Sequence, residues 1–315
     1  MTDLDTVFED SLPEDHRSGV IAVVGRPSVG KSTLINRILG QKIAIVSPKP
    51  QTTRRQQLGI YTDHRCQILF TDTPGLHRPQ HKLGEFMVKV AEDALRDADI
   101  ILWLVDVSVE PTAEERHIAE TVNRLRGQTP VILVLNKSDL LKPGQYEARL
   151  TTYQTLVEGA EAMLTSALDG SGLDTLMARL VEMLPFGPRY YPVDQVSEVN
   201  MRFIAAETIR EKIILNTEQE IPYSVAVEVS EYKERSDNMT YISATIYVER
   251  DSQKGILIGK HGDMIKRIGS QARAELGEML GTQVYLELHV KVLKNWRMDE
   301  DLLRRLGYRL PSKTD

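Results

Sequence analysis

The stretch Gly25-Arg26-Pro27-Ser28-Val29-Gly30-Lys31-Ser32, followed by Thr33, has the spacing G-x-x-x-x-G-K-S. Residues of these types can hold a triphosphate: glycine lets backbone N–H groups converge on phosphate oxygens, Lys31 reaches the β- and γ-phosphates, and the Ser32 hydroxyl can sit on Mg²⁺. Further along, Asp72-Thr73-Pro74-Gly75 offers a carboxylate that can hold the same metal through water, and a Gly75 amide that can meet the γ-phosphate. Asn136-Lys137-Ser138-Asp139 distinguishes bases, because the Asp139 carboxylate accepts from guanine N1–H and the exocyclic amino group. Adenine offers no such pair, and a buried site built for those donors rejects the wrong base by leaving its own groups unpaired. Ser166-Ala167-Leu168 follows at a distance where the Ala167 amide can read guanine O6, although alone it would carry no weight.

Each of these segments needs an element to hold it. Val20–Val24 is a short β-branched run before the first glycine, and Thr33–Leu39 has helical spacing after it, which puts the phosphate loop at a strand-to-helix turn. Ile68–Phe70, Ile100–Val105 and Val131–Leu135 are near-continuous apolar runs. That alternation over 18–184 predicts an α/β domain with a mostly parallel sheet covered on both faces. Trp103 lies inside one run and is assigned to the core rather than to base stacking. Pro48–Arg55 is polar and carries prolines, so it is a loop. Thr53, chosen over Thr52, is placed there to complete the Mg²⁺ shell when a γ-phosphate is present. Lys31 and Thr53 are the expected supports of the transition state; no general base is assigned.

The chain has 315 residues, enough for two domains. A formal net charge of −6 argues against coating nucleic acid by bulk charge, so any RNA contact must be local. The single cysteine, Cys66, excludes an intramolecular disulfide framework and is read as a structural thiol in a strand. No apolar run approaches the roughly 18 residues needed to span a bilayer, which points to a soluble, cytoplasmic chain. Residues 1–17 are acidic and are read as a flexible tail without assigned function.

After a Pro- and Tyr-rich linker at 185–200, Phe203, Ala206, Ile209 and Ile213 recur at helical spacing. Val225/Val227/Val229 and Ile242/Ala244/Ile246/Val248 alternate as strands, and a helical stretch from 263 to 280 precedes the alternating 284–290. Gly259-Lys260-His261-Gly262 is a G-x-x-G turn between two helices. By itself it is a weak signal, whose bland alternative is a tight helix–helix turn. The order helix, strand, strand, helix, helix, strand makes 201–315 resemble an α+β type II KH domain with a C-terminal helix. Such a fold grips single-stranded RNA, its loop glycines admitting phosphates and an apolar helix–strand groove taking bases. Lys254, Lys260, Lys266 and Arg267 would supply the local positive charge.

The G-x-x-x-x-G-K-S loop, Thr53 before Arg54, Asp72-Thr73-Pro74-Gly75 and Asn136-Lys137-Ser138-Asp139 together resemble a translation-factor-class GTPase of the Ras-like P-loop fold. With the KH-like half, and with Gln51-Thr52-Thr53-Arg54, Tyr191-Pro192 … Asp194-Gln195, Ile221-Pro222-Tyr223-Ser224 and Leu306-Gly307-Tyr308, nearly the whole chain resembles the Era family of bacterial GTPases. The resemblance implies a GTP/GDP switch with Mg²⁺ that binds the 3′ end of 16S rRNA and assists small-subunit assembly. It also implies a monomer in the cytoplasm, with peripheral association at the inner face of the cell membrane. Two positions stand out. Ser28 replaces the family's Asn, which in related GTPases helps hold a potassium ion, so potassium stimulation stays open. Leu76 stands where Ras-type enzymes carry the glutamine that orients water, in agreement with the family; His77 and His81 are read as exposed loop side chains. A nucleotide-gated RNA-binding module with incidental hydrolysis remains the alternative, whereas an ATPase or kinase fails on Asn136 and Asp139.

Overall fold

A computed structural model describes residues 12–198, 200–236 and 238–309. By contacts the chain forms two units. One holds the residues through Ala44, Thr53–Arg78 and Met87–Glu198; the other holds Ile45–Thr52, Pro79–Phe86 and the described residues from 200 onward.

The elements of the first half are β1 (Arg17–Val24), α1 (Lys31–Leu39), β2 (Gln57–Thr62), β3 (Cys66–Asp72), α2 (Lys82–Arg96), β4 (Ile100–Asp106), α3 (Ala113–Leu125), β5 (Val131–Asn136), α4 (Tyr146–Gln154), β6 (Glu161–Leu164) and α5 (Leu173–Met183). The sheet runs β2-β3-β1-β4-β5-β6. All neighbours are parallel except β2, which lies antiparallel to β3. Successive side chains of a strand point to opposite faces, so the continuous apolar runs feed two cores at once. Ala22, Val24, Trp103, Val105 and Leu133 pack on one face with Ile118 and Val122 of α3. Ile21, Val23, Phe70, Leu102 and Val134 pack on the other with Leu34 of α1 and Leu176 of α5. Strands β1, β3, β4 and β5 all end on the same edge, where the phosphate loop, Asp72, Asp106 and Asn136 emerge. Ligands of open α/β sheets bind at that edge.

Several expectations need adjusting. Of the proposed tail, residues 1–11 lie outside the described residues, while His16 is buried and Arg17 opens β1. Of the proposed linker, residues 185–198 belong to the first unit: Pro185 O accepts from Ser18 N (3.1 Å), Val196 O from Ile60 N (2.9 Å), and Gln67 Oε1 from the Tyr190 and Tyr191 amides (2.6 and 2.9 Å). Cys66, by contrast, fits its reading as a structural thiol: it opens β3 fully buried, and burial, reinforced by Asp63, pushes its thiol up to about 12.

In the second half, α6 (Met201–Asn216), α7 (Ile221–Ser224), β7 (Ala226–Ser236), β8 (Met239–Val248), α8 (Asp251–Ile258), α9 (Asp263–Leu280), β9 (Gln283–Val292) and α10 (Glu300–Arg305) follow. The sheet is β7-β8-β9, with β7 antiparallel and β9 parallel to β8. Ile242, Ala244, Ile246 and Val248 are all fully buried, as their alternation requires. The buried face of α6 is Ala205, Ile209 and Ile213; Phe203 and Ala206, expected on it, are only half-buried. No helix among the described residues is long and apolar enough to cross a membrane.

Candidate nucleotide site and nucleic-acid interface

Backbone geometry shapes the phosphate loop first. Gly25 takes φ 148, with the Leu104 carbonyl filling the space a Cβ would need, and Gly30 takes φ 102 against the Asn136 amide. These are backbone conformations and clearances that only glycine meets without strain. Ser28 takes φ 64, a left-handed conformation in which Asn is more at home than Ser.

Lys31 is buried, and its Nζ donates to Gly25 O (3.1 Å) and Arg26 O (3.0 Å). Burial lowers its pKa to about 8, partly opposed by the charge of Asp72. Ser32 Oγ donates to Asp72 Oδ2 (2.7 Å), Thr53 Oγ1 reaches the same oxygen (3.2 Å), and the two hydroxyls lie 3.0 Å apart. The three groups expected around Mg²⁺ therefore meet, although they come from α1, a loop and β3. Thr52 does not join them, since its Oγ1 donates to Lys49 O (2.7 Å).

Asp72 is fully buried, and burial raises its carboxyl against the bond from Ser32, the charge of Lys31 and the bond from Thr53. Its Oδ1 has no protein partner. A buried oxygen held beside two hydroxyls is where a cation would complete the shell. No group of three His, Cys, Asp or Glu able to hold a metal occurs among the described residues. One carboxylate plus hydroxyls suits Mg²⁺, which keeps waters and takes phosphate oxygens as its other ligands.

Thr73 Oγ1 donates to Val23 O (2.7 Å), binding the Asp72–Gly75 turn to β1. Gly75 lies so close to the phosphate loop that a Cβ would come 2.7 Å from Pro27 N, and the Leu76 amide donates to Gly25 O (3.2 Å). Leu76 itself is 3% exposed and belongs to the core. An apolar anchor thus fills the position from which a glutamine would face water. His77 and His81, expected to be exposed, are half-buried and bonded to backbone: His77 Nδ1 lies 2.7 Å from Gly75 O, and His81 Nδ1 accepts from Gly84 N (2.9 Å).

At the base end, Asn136 acts as a hub. Its Nδ2 donates to Val29 O (2.8 Å), while its Oδ1 accepts from the Ala167 amide (2.9 Å) and Thr165 Oγ1 (3.3 Å). Reading guanine O6 would require the Ala167 amide to share that bond. Ser166 Oγ donates to Asp139 Oδ1 (2.7 Å) and so orients the carboxylate. Leu168 is 73% exposed beside them. Lys137 takes φ 65, and its Nζ reaches Asp106 Oδ2 (2.8 Å). Burial opposes ionisation of Asp106, but the bonds from Lys137 and Ser108 and the charge of Lys137 hold its carboxyl below the ordinary range. Asp106 was missed in the sequence; the acidic residue closing an apolar strand run was the available signal.

In the second unit, Gly259–Gly262 forms a single tight turn between α8 and α9. Gly259 takes φ 74 and ψ 174, and Gly262 φ 81 and ψ 14. Lys260, His261, Lys266 and Arg267 are exposed, and Lys254 is half-buried. Beside the turn, Ile265, Lys266, Gly269, Ser270 and Arg273 of α9 and Leu286 and Leu288 of β9 line a groove of about 280 Å³. Apolar walls with cations at the rim suit a base and its phosphate. Arg273 had not been singled out; its place two turns after Lys266 on the same helix was the signal.

Known proteins bear on both halves. The family model described as "50S ribosome-binding GTPase" matches residues 20–137, and that described as "KH domain" matches residues 220–297. GTPase Era of Ruminiclostridium cellulolyticum is 44% identical over 294 residues, spanning 93% of this chain and 98% of that protein. A crystal structure of Era in complex with MgGDPNP and nucleotides 1506–1542 of 16S ribosomal RNA superposes with a TM-score of 0.88 at 38% identity, covering 94% of this chain and all of that one. An Aquifex aeolicus Era variant bound to GDP and AlF₄⁻ gives 0.89 at 39% identity, covering 93% and 100%. Likeness of this extent takes in the nucleotide site and the G-x-x-G turn together, and it places the chain in the Era family of GTPases.

Proposed function

We propose that the chain cycles between GTP and GDP with slow intrinsic turnover, and uses the cycle to control its hold on the 3′ end of 16S rRNA during small-subunit assembly. The observation that carries the enzymatic half is the meeting of Ser32, Thr53 and Asp72 within 3.2 Å beside buried Lys31. Lys31 leaves its carbonyl partners for the β- and γ-phosphates. Ser32, Thr53 and Asp72 are the groups that would hold the metal. Mg²⁺, when bound, neutralises charge on the β/γ-phosphate oxygens. Asp139, steadied by Ser166, accepts from guanine, while Asn136 keeps the phosphate loop and the 165–168 loop in register.

With Leu76 committed to the core, the position from which a glutamine would orient water is apolar, and turnover is expected on the order of 10⁻⁴–10⁻² s⁻¹. The RNA half rests on the exposed cations around Gly259–Gly262 and the groove between α9 and β9. Action as a monomer in the cytoplasm, with peripheral association at the inner membrane face, follows from family resemblance.

The test is GTP turnover with and without an RNA spanning the 16S 3′ end, together with RNA affinity in GDPNP and in GDP. Affinity that differs between the two nucleotides supports the switch. Equal affinity, with turnover indifferent to RNA, would leave two unconnected activities and refute it.

A further inference from the structure

Glu115 lies in the first turn of α3 and is 1% exposed. A carboxylate taken out of water needs both partners and hydrogen bonds. Its Oε2 accepts from the Thr112 amide (2.8 Å) and from the Thr112 hydroxyl, forming the capping box that starts the helix. That cap uses one oxygen, and a neutral glutamine would serve it equally. The other oxygen faces elsewhere: Oε1 forms an ion pair with Nε of Arg26. Behind the pair, Tyr153 donates to Asp106 O (3.0 Å) and Val109 O (3.2 Å), so a buried aromatic ring closes this side of the helix start.

Arg26 is the second residue of the phosphate loop, and the contacts that shape the loop pass through its backbone. Its carbonyl takes Lys31 Nζ (3.0 Å), and Pro27 immediately after it abuts Gly75. Gly25 just before it receives both Lys31 and the Leu76 amide. Its side chain points into α3 rather than toward phosphate. A charge that the helix cap does not need is thus spent on fixing one loop residue from about ninety positions away.

We propose that Glu115 is a positioning residue of the GTPase site, holding the phosphate loop through Arg26 in the shape that accepts the β- and γ-phosphates. The loop is then pre-organised before nucleotide arrives, and the ordering cost is met in folding rather than in binding. The inference rests on residues 25–32 being the phosphate loop. Lys31→Ala is the control for that: if this variant keeps parental GTP affinity, the loop assignment fails and not the role of Glu115.

The experiment compares Glu115→Gln, Arg26→Ala, Arg26→Lys and the double Arg26→Ala/Glu115→Gln in the full chain. GTP and GDP affinities are read by titration of a fluorescent nucleotide with Mg²⁺, and melting temperature is read in parallel. Glu115→Gln keeps the cap, so its melting temperature should stay near the parent's while GTP and GDP affinities fall roughly tenfold, about 1.4 kcal/mol. Arg26→Ala should lose as much, Arg26→Lys less, and the double no more than the worse single, because the residues act as one unit. A merely structural Glu115 would lower the melting temperature and leave affinity alone. If Arg26→Ala proves unstable because it strands a buried carboxylate, the double, neutral on both sides, still decides. GTP affinity within twofold of parent in Glu115→Gln or in the double overturns the proposal, as do additive losses.

Discussion

Gly259 and Gly262 look equivalent in the G-x-x-G signature, yet the structure predicts very different responses to the same methyl group. In Gly259→Ala, the backbone at φ 74 and ψ 174 lies in a region that is essentially glycine's alone, which costs about 1–3 kcal/mol. The new Cβ would also stand 2.8 Å from both Cβ and the backbone N of Met264, in the first turn of α9. A backbone atom cannot swing away, so α9 must shift at an overpacking cost of about 1–3 kcal/mol. The total is about 2–6 kcal/mol.

Gly262 is in the ordinary left-handed region, and its Cβ would meet only Lys266 Cε at 3.8 Å. Ala there costs about 1–2 kcal/mol, and Asn less, since Asn tolerates this conformation. The assay is urea unfolding of the full chain in a Trp103→Phe background, where Trp296, buried in the second unit, reports as the remaining tryptophan. With m of about 2 kcal/mol per M, a mid-range loss of about 4 kcal/mol in Gly259→Ala should lower the midpoint by about 2 M, several times the shift for Gly262→Asn. RNA affinity should fall with it, because Ile265 and Lys266 at the groove mouth follow Met264. A Gly259→Ala midpoint no lower than that of Gly262→Ala would refute the reasoning.

Asp139→Asn should shift preference from guanine toward xanthine nucleotides, measured by competition; equal binding of ATP and GTP by the parent would sink that role. Replacing both Lys260 and His261 by Asp puts two negative charges where phosphates approach, so RNA affinity should drop sharply with GTP affinity unchanged, and parental binding should weaken with salt. Parental affinity in the folded double variant would reduce the turn to a helix connection. Asp106→Asn removes the anchor of Lys137 and should weaken GTP binding roughly tenfold or more, since bonds to charged groups contribute about 1.5–3 kcal/mol. The folded carboxyl of Asp106 lies below its unfolded value of 3.8, so its stabilisation is present above that pH and lost as pH falls below it. Acid melting of parent and Asp106→Asn should therefore converge below pH 3.8; a constant gap would count against the ion pair.

The elements were legible wherever one local signal sufficed. Short apolar runs such as Ile100–Val105 read as strands buried on both faces, and the alternation at 242–248 marks a strand, although its polar positions Ser243 and Thr245 are buried as well. β2 and β6 were not legible. Thr62 and Tyr61 at the sheet edge are half-exposed, and β6 is only four residues long with exposed ends, so neither leaves a strong pattern. The helix face of α6 was misjudged by one position at Ala206 because its apolar residues nearly surround the helix, and tertiary packing chose Ala205.

The site divides along the same line. Groups meant for the ligand announce themselves by spacing, because a phosphate or a base has a fixed size and the chain must present glycine, lysine and carboxylate at fixed intervals. The residues that hold those groups in place carry no such interval. Asp106 reaches Lys137 and Glu115 reaches Arg26 across separations that depend on how far each intervening helix happens to run. What they share is chemical: each is a polar or charged side chain at a strand end, a loop or a helix start on the ligand edge of the sheet. There a buried charge without a partner would cost several kcal/mol. An acidic residue in such a place, with more oxygens than its local turn or cap can use, points to a partner beyond its own turn, either a cation of the fold or a ligand. That criterion picks out Glu115, whose cap consumes one oxygen and leaves the other for the phosphate loop.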